Sequence, residues 1–186
     1  TAEPEEVMAV LREFHHALGP MIFEHGGTIA LDKDGKMVMV NEGSGGSGAF
    51  SPNTTVPGDH TYKGTFHTHP YGKNDGSLDG AHSTFSEGDI ATLDDYNEDV
   101  SMLQSGDNKY VIVKTTDSPS TIDNAKIEAE IAKARKEEYD KLVKGGMSKT
   151  EAFEKAQDKA AEAALKKLKY GYYKSTDCSS LSRVNP

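Results

Sequence analysis

The chain has 186 residues, a formal net charge of −9 and one cysteine, Cys178. That acidic balance argues against a phosphate-binding surface and so against nucleic acid as a partner, and a lone cysteine excludes an internal disulfide or a cysteine-rich zinc knuckle. No apolar run approaches the roughly 18 residues of a membrane span, and no apolar signal segment stands at the start.

In chain order, Pro4 to Leu18 reads as an amphipathic helix with Val7, Val10, Leu11, Phe14 and Leu18 on one face. His15 and His16 at its end suit the helix dipole. Strands are expected over 22–31 and 36–40, joined by Asp32-Lys33-Asp34-Gly35 with its Asp-Gly hairpin signal. A calcium loop is not expected there, because its closing glutamate and flanking helices are missing. Residues 42–60, rich in Gly, Ser, Pro, Asn and Thr, read as a long loop, either one wall of a substrate groove or slack chain.

A strand over 62–66 leads into His67-Thr68-His69-Pro70. In extended chain, residues i and i+2 share a face, so both imidazoles can meet one cation while Thr68 points away. Pro70 then stops the strand by removing a ladder donor.

Further on, Ser86-Glu87-Gly88-Asp89 precedes Ile90, Ala91, Leu93 and Tyr96 at helical spacing. One reading is structural: Ser86 as N-cap, with Asp89 completing a capping box. The other takes Asp89 as the hard oxygen ligand of a His, His, Asp zinc site with an open fourth position. The two are compatible, because a carboxylate fixed at a helix start is already oriented.

Strands follow over 100–103 and 110–115, with Val111-Ile112-Val113 as a buried run. From Ser120 the composition turns to Ala, Lys and Glu, and a helical hairpin is expected. Its first stripe is Ile127, Ile131 and Leu142, Gly145-Gly146 is its break, and Ser148-Lys149-Thr150-Glu151 is the cap of its second helix. Phe153, Ala156, Ala160, Ala164 and Leu168 give that helix its apolar face, to be packed on the domain or on the first helix. The tail with Tyr170, Tyr172, Tyr173 and Cys178 carries no clear chemical signal.

Together, His-x-His-Pro, the later Ser-x-x-Asp and a glutamate upstream resemble the signature of the JAMM metalloproteases. Glu24, within Met21-Ile22-Phe23-Glu24-His25-Gly26-Gly27-Thr28-Ile29, matches the family's glutamate before its first strand. One departure is the gap from Tyr71 to Phe85, longer than the family pattern. Leu78 stands where a shorter gap would place serine, so an insertion is the expectation. That insertion contains Asp75, Ser77, Asp79 and His82, any of which is an alternative source of the third ligand.

The resemblance implies an α/β (α+β) fold: a JAMM- or cytidine-deaminase-like mixed sheet with flanking helices and a C-terminal helical hairpin. The expected division is a core over 1–118 and a helical extension over 119–186. It implies a Zn2+ metallopeptidase cleaving a peptide or isopeptide bond of a protein substrate, with His67, His69 and Asp89 as ligands and Glu24 as general base. Ser86 would donate its hydroxyl to the developing oxyanion. For Glu24 the competing reading is an ion pair beside a strand. Glu42 competes for the base role from a loop-like setting, and His25 would face away.

The layout also resembles JAB-like domains at the C-termini of bacterial polymorphic toxins, including Rhs-type effectors of type VI secretion. That likeness implies a secreted effector acting in a target cell's cytoplasm, with an immunity protein guarding the producer; a cytoplasmic enzyme is the alternative. Thr1 in place of methionine is what a processed product or a domain of a longer polypeptide would have. The non-enzymatic alternative is a JAMM-like scaffold or protein-binding module. A polymerase-and-histidinol-phosphatase type phosphoesterase fails on ligand supply, because no histidine follows position 82. A zinc deaminase fails because it needs a Cys-x-x-Cys pair.

Overall fold

The turn at Asp32 shows how local chemistry begins the fold. Its Oδ1 accepts the backbone N–H groups of Asp34 and Lys36, each at 2.9 Å, and Gly35 takes φ +77°. Asp32 thus closes a hairpin between β1 (His25–Leu31) and β2 (Met37–Ser44). The chain then runs through β3 (Thr61–His69), a short α1 (Glu87–Ala91), β4 (Val100–Ser105) and β5 (Asn108–Val113). Helices α2 (Asn124–Lys144) and α3 (Lys149–Lys167) follow, then β6 (Gly171–Ser175) and β7 (Ser182–Arg183). This computed structural model describes residues 24–46, 50–69, 83–106, 108–176 and 180–184. The helix expected over 4–18, the loop residues Asp75, Ser77, Asp79 and His82, and Cys178 lie outside the described residues.

The strands form one mixed sheet in the order β2-β1-β3-β4-β5-β6-β7. Every pairing is antiparallel except β3 with β4, which is parallel. A parallel pair needs a crossover, and this one carries α1 back over the sheet. Gly64 lets the two central strands close up: a Cβ there would stand 1.7 Å from the carbonyl oxygen of Val100.

Alternation along the strands sorts the core into two faces. Ile29, Met37, Phe66, Val100, Met102 and Val111 pack on one side. On the other, Leu103, Tyr110, Ile112 and Tyr172 meet Ile127 and Ile131 of α2 and Ala160, Ala161 and Leu165 of α3. This second cluster draws on both sides of the boundary expected after residue 118, joining Phe85, Ile90 and Leu93 to the helical hairpin and β6. Asp123 and Ser148 cap α2 and α3 with their side-chain oxygens.

Three expectations need correction. First, β2 continues through Glu42 to Ser44, because Gly43 and Ser44 still pair with Gly26 and His25 across a bulge. Second, β3 runs past the 62–66 span expected for it to His69, with both histidines at the strand end as expected, paired to β4 and, at His67, to β1 as well. Third, the helix after Ser86 stops at Ala91. The hydroxyl of Thr92 bonds the carbonyls of Gly88 and Asp89, and Asn97 turns the chain at φ +48°. The tail does not trail away: β6 pairs with β5, and Tyr172 stacks on Tyr110 with ring centroids 6.3 Å apart. Among the described residues no helix is long and apolar enough to cross a membrane.

Candidate metal centre

The alternation of β3 puts Thr65, His67 and His69 on the face that α1 covers, with Thr68 on the other. There the Thr68 hydroxyl oxygen accepts the backbone N–H of His25 at 3.0 Å, tying β1 to the histidine strand. Gly26 pairs with His67, and its missing side chain is required, since a Cβ would lie 2.4 Å from the carbonyl oxygen of Phe66. This brings Glu24, just before β1, to the edge of the same pocket.

Opposite β3, the start of α1 is a complete capping box. Asp89 N–H donates to Ser86 Oγ at 3.2 Å, while Ser86 N–H and Oγ–H donate to Asp89 Oδ2 at 2.7 and 2.8 Å. These bonds hold the Asp89 carboxylate toward the histidines. Its Oδ1 is 3.3 Å from His67 Nε2, and its Oδ2 is 3.6 Å from His69 Nε2. Capping and convergence therefore coexist in one side chain. His67, His69 and Asp89 each present a ligand atom within 4.8 Å of the others, a triad that could hold a metal ion.

Two details fit that triad to a cation. His67 Nε2 is buried and makes no close hydrogen bond, with Asp89 Oδ1 3.3 Å away. An orphaned buried imidazole nitrogen beside a carboxylate and a second imidazole is what a metal ligand looks like before its ion is counted. On the far side of His69, Nδ1 lies 3.3 Å from the carbonyl oxygen of Ser83. Donation to that carbonyl assigns the proton to Nδ1 and leaves Nε2 as the lone-pair nitrogen facing Asp89.

Comparison with known protein families, curated proteins and solved structures finds no match.

The pocket over the triad has a volume of about 350 Å³ and is lined by Glu24, Ser86, Glu98 and the three triad residues, among others. Phe50 and Pro52 form part of its wall, so the loop after β2 does border the groove. That loop is pinned by Asn53, whose carbonyl oxygen accepts from Thr28 Oγ1 at 2.6 Å and Asn41 Nδ2 at 2.9 Å. Phe85, fully buried, sets its ring edge against His67 with centroids 6.1 Å apart. Glu42 is exposed on β2 and His25 bonds Ser44 at 3.0 Å; neither lines the pocket.

The electrostatics follow from burial against close charges. Burial raises the pKa of Glu24, opposed by His67 and His69. For Asp89 burial pushes upward too, but His67 and His69 overcome it and hold the carboxyl well below the usual range. His67 goes the other way: burial lowers its pKa, yet Asp89 outweighs that and raises it.

Three residues outside the sequence motifs prove to matter. Glu98 is 4% exposed, and burial raises its pKa to about 7 against hydrogen bonds from Thr65 and Ser101. Arg135 of α2 bridges Glu87 and Gln157, and Gln157 of α3 donates to the carbonyl oxygen of Phe85 at 2.6 Å. The hairpin thereby clamps both sides of Ser86, and through it Asp89. Glu98 in an Asn-Glu-Asp run reads as a surface acid, and Arg135 and Gln157 read as ordinary helix residues. Nothing local marked them.

Proposed function

We propose that the protein is a zinc-dependent hydrolase of peptide or isopeptide bonds, of the kind the JAMM-like motifs imply. The observation that carries this reading is the convergence of His67, His69 and Asp89, with an orphaned His67 Nε2, in a pocket that Glu24 also lines. Two imidazoles and one carboxylate match the ligand set of catalytic zinc, which leaves a position open. When bound, zinc supplies Lewis acidity that lowers the pKa of a water from about 15.7 to about 7.

The chain's own groups then have distinct tasks. Glu24 accepts a proton at its carboxylate from the water that adds to the carbonyl carbon, and returns it to the departing nitrogen as the C–N bond breaks. Burial raises its pKa, the direction that makes a carboxylate a stronger base. Ser86, which lines the pocket, steadies Asp89 by donating its one hydroxyl hydrogen to Oδ2 at 2.8 Å, and it serves the carbonyl oxygen as negative charge develops only by turning that O–H away from Asp89. Phe50 and Pro52 give the pocket an apolar wall.

The test is Glu24→Gln in parallel with the wild type. Zinc content by elemental analysis stays unchanged, while hydrolysis falls by about 100- to 10,000-fold, the usual weight of a general base. Mapping of new protein termini in cells expressing either form reads the activity and names the substrate. Equal cleavage in both samples would remove Glu24 as the base, and none in either with zinc bound would leave a zinc-holding scaffold or binding module as the function.

As a biological role we propose a secreted bacterial effector domain acting on a cytoplasmic protein of a target cell, with an immunity protein in the producer. The toxin-domain likeness of the motif layout supports it. Harmless expression in bacteria would remove that role and leave the hydrolase reading intact.

A further inference from the structure

Among the described residues lining the pocket, Glu98 is the one acid that the hydrolysis just described does not use. It stands two residues before β4, and Thr65 Oγ1 donates to its Oε1. Thr65 and His67 share a face of β3 two residues apart, which sets the Glu98 carboxylate about one pleat repeat, roughly 7 Å, along the strand from the triad. A lysine or arginine stem spans such a gap.

Glu98 is an acid that the charge balance of the site does not require. A divalent ion is matched by Asp89 and Glu24, with both imidazoles neutral. Glu98 adds a further buried carboxylate, and no lysine or arginine is among the described residues lining the pocket. Alone, the buried side chain keeps a proton on the acid side of neutrality, and a cation a few ångströms away would favour its ionised form instead. The wall beside it includes Thr92 and the half-buried Tyr96, a surface suited to a methylene stem.

We propose that Glu98 is a specificity-determining residue that receives a cationic side chain, lysine or arginine, carried by the protein substrate beside the scissile bond. This rests on the metallohydrolase reading. It narrows the substrate class from any protein segment to one with a basic residue at that subsite.

The experiment compares L-lysine hydroxamate with L-norleucine hydroxamate on the zinc-loaded protein by calorimetry. Both carry the same metal-chelating group and α-amine, and they differ in the terminal ammonium. The wild type is expected to bind the lysine compound at least about ten-fold more tightly. Glu98→Gln is expected to erase that preference while leaving norleucine hydroxamate binding within about two-fold. Equal affinities in the wild type, or a preference that survives Glu98→Gln, would overturn the inference. The wild-type pair needs no variant, so it decides the matter even if Glu98→Gln fails to fold. A protein that takes up no zinc would overturn the metallohydrolase reading and this inference with it; zinc uptake without side-chain preference overturns the inference alone.

Discussion

Glu98 should leave a signature in the pH dependence of folding. Its pKa is raised from the ordinary 4.5 to about 7, chiefly by burial, so between those values the folded protein keeps a proton that the unfolded chain has released. The folded state binds more protons across that window, and stability therefore falls as pH rises through it. At 1.36 kcal/mol per factor of ten in proton affinity, ionising Glu98 inside the fold is harder by about 3 kcal/mol. Glutamine cannot ionise, so Glu98→Gln removes this decline. Urea unfolding of the metal-free protein between pH 4.5 and 8.5, with chelator present, measures it. The stability of Glu98→Gln relative to wild type should climb by about 3 kcal/mol from the acid to the alkaline end. A constant offset from amide-for-acid replacement does not affect that slope. Parallel curves for the two proteins would refute the reasoning.

Further outcomes are expected at the triad and in the core. On the proposed zinc site, Asp89→Ala removes both a ligand and the acidic half of the α1 cap, so zinc affinity by chelator competition should fall by more than the roughly 10- to 100-fold that loss of an outer-shell partner brings. Zinc binding also requires neutral imidazoles. Because Asp89 outweighs burial and raises the His67 pKa, affinity should begin to fall above the ordinary 6.5 as pH drops, by up to about ten-fold per pH unit for that one proton. A pH-independent affinity between 8 and 6 would contradict this. Leu165→Ala, at a fully buried position shared by α3 and the sheet, should cost about 2–5 kcal/mol in one cooperative unfolding transition. A separate early transition would show a helical hairpin that folds apart from the sheet.

Much of the site was legible because its rules are local. A period of two in Thr65, His67 and His69 predicts a shared face, and Ser86 with Asp89 predicts a capped helix start; these geometries hold whatever surrounds them. Hairpin β1–β2 and the helices around Gly145-Gly146 were readable from turn and cap residues for the same reason. What escaped depended on partners distant in sequence. Glu98 is buried by how β4 meets β3, while Arg135 and Gln157 acquire their roles only when the hairpin lies over α1. The strand at Tyr172 was hidden in a short tyrosine-rich tail and is explained by its pairing with β5, and β2 overran its expected end because Gly26 and His25 supplied partners that its glycines did not advertise.

The clamp formed by Arg135 and Gln157 gives the order of synthesis a meaning. A ribosome exposes both histidines and Asp89 well before it has made the glutamine that fastens the carbonyl of Phe85. A half-made polypeptide thus carries the ligands without the brace that aims them. The brace can form only after the second helix of the hairpin has been made and lies over the start of α1.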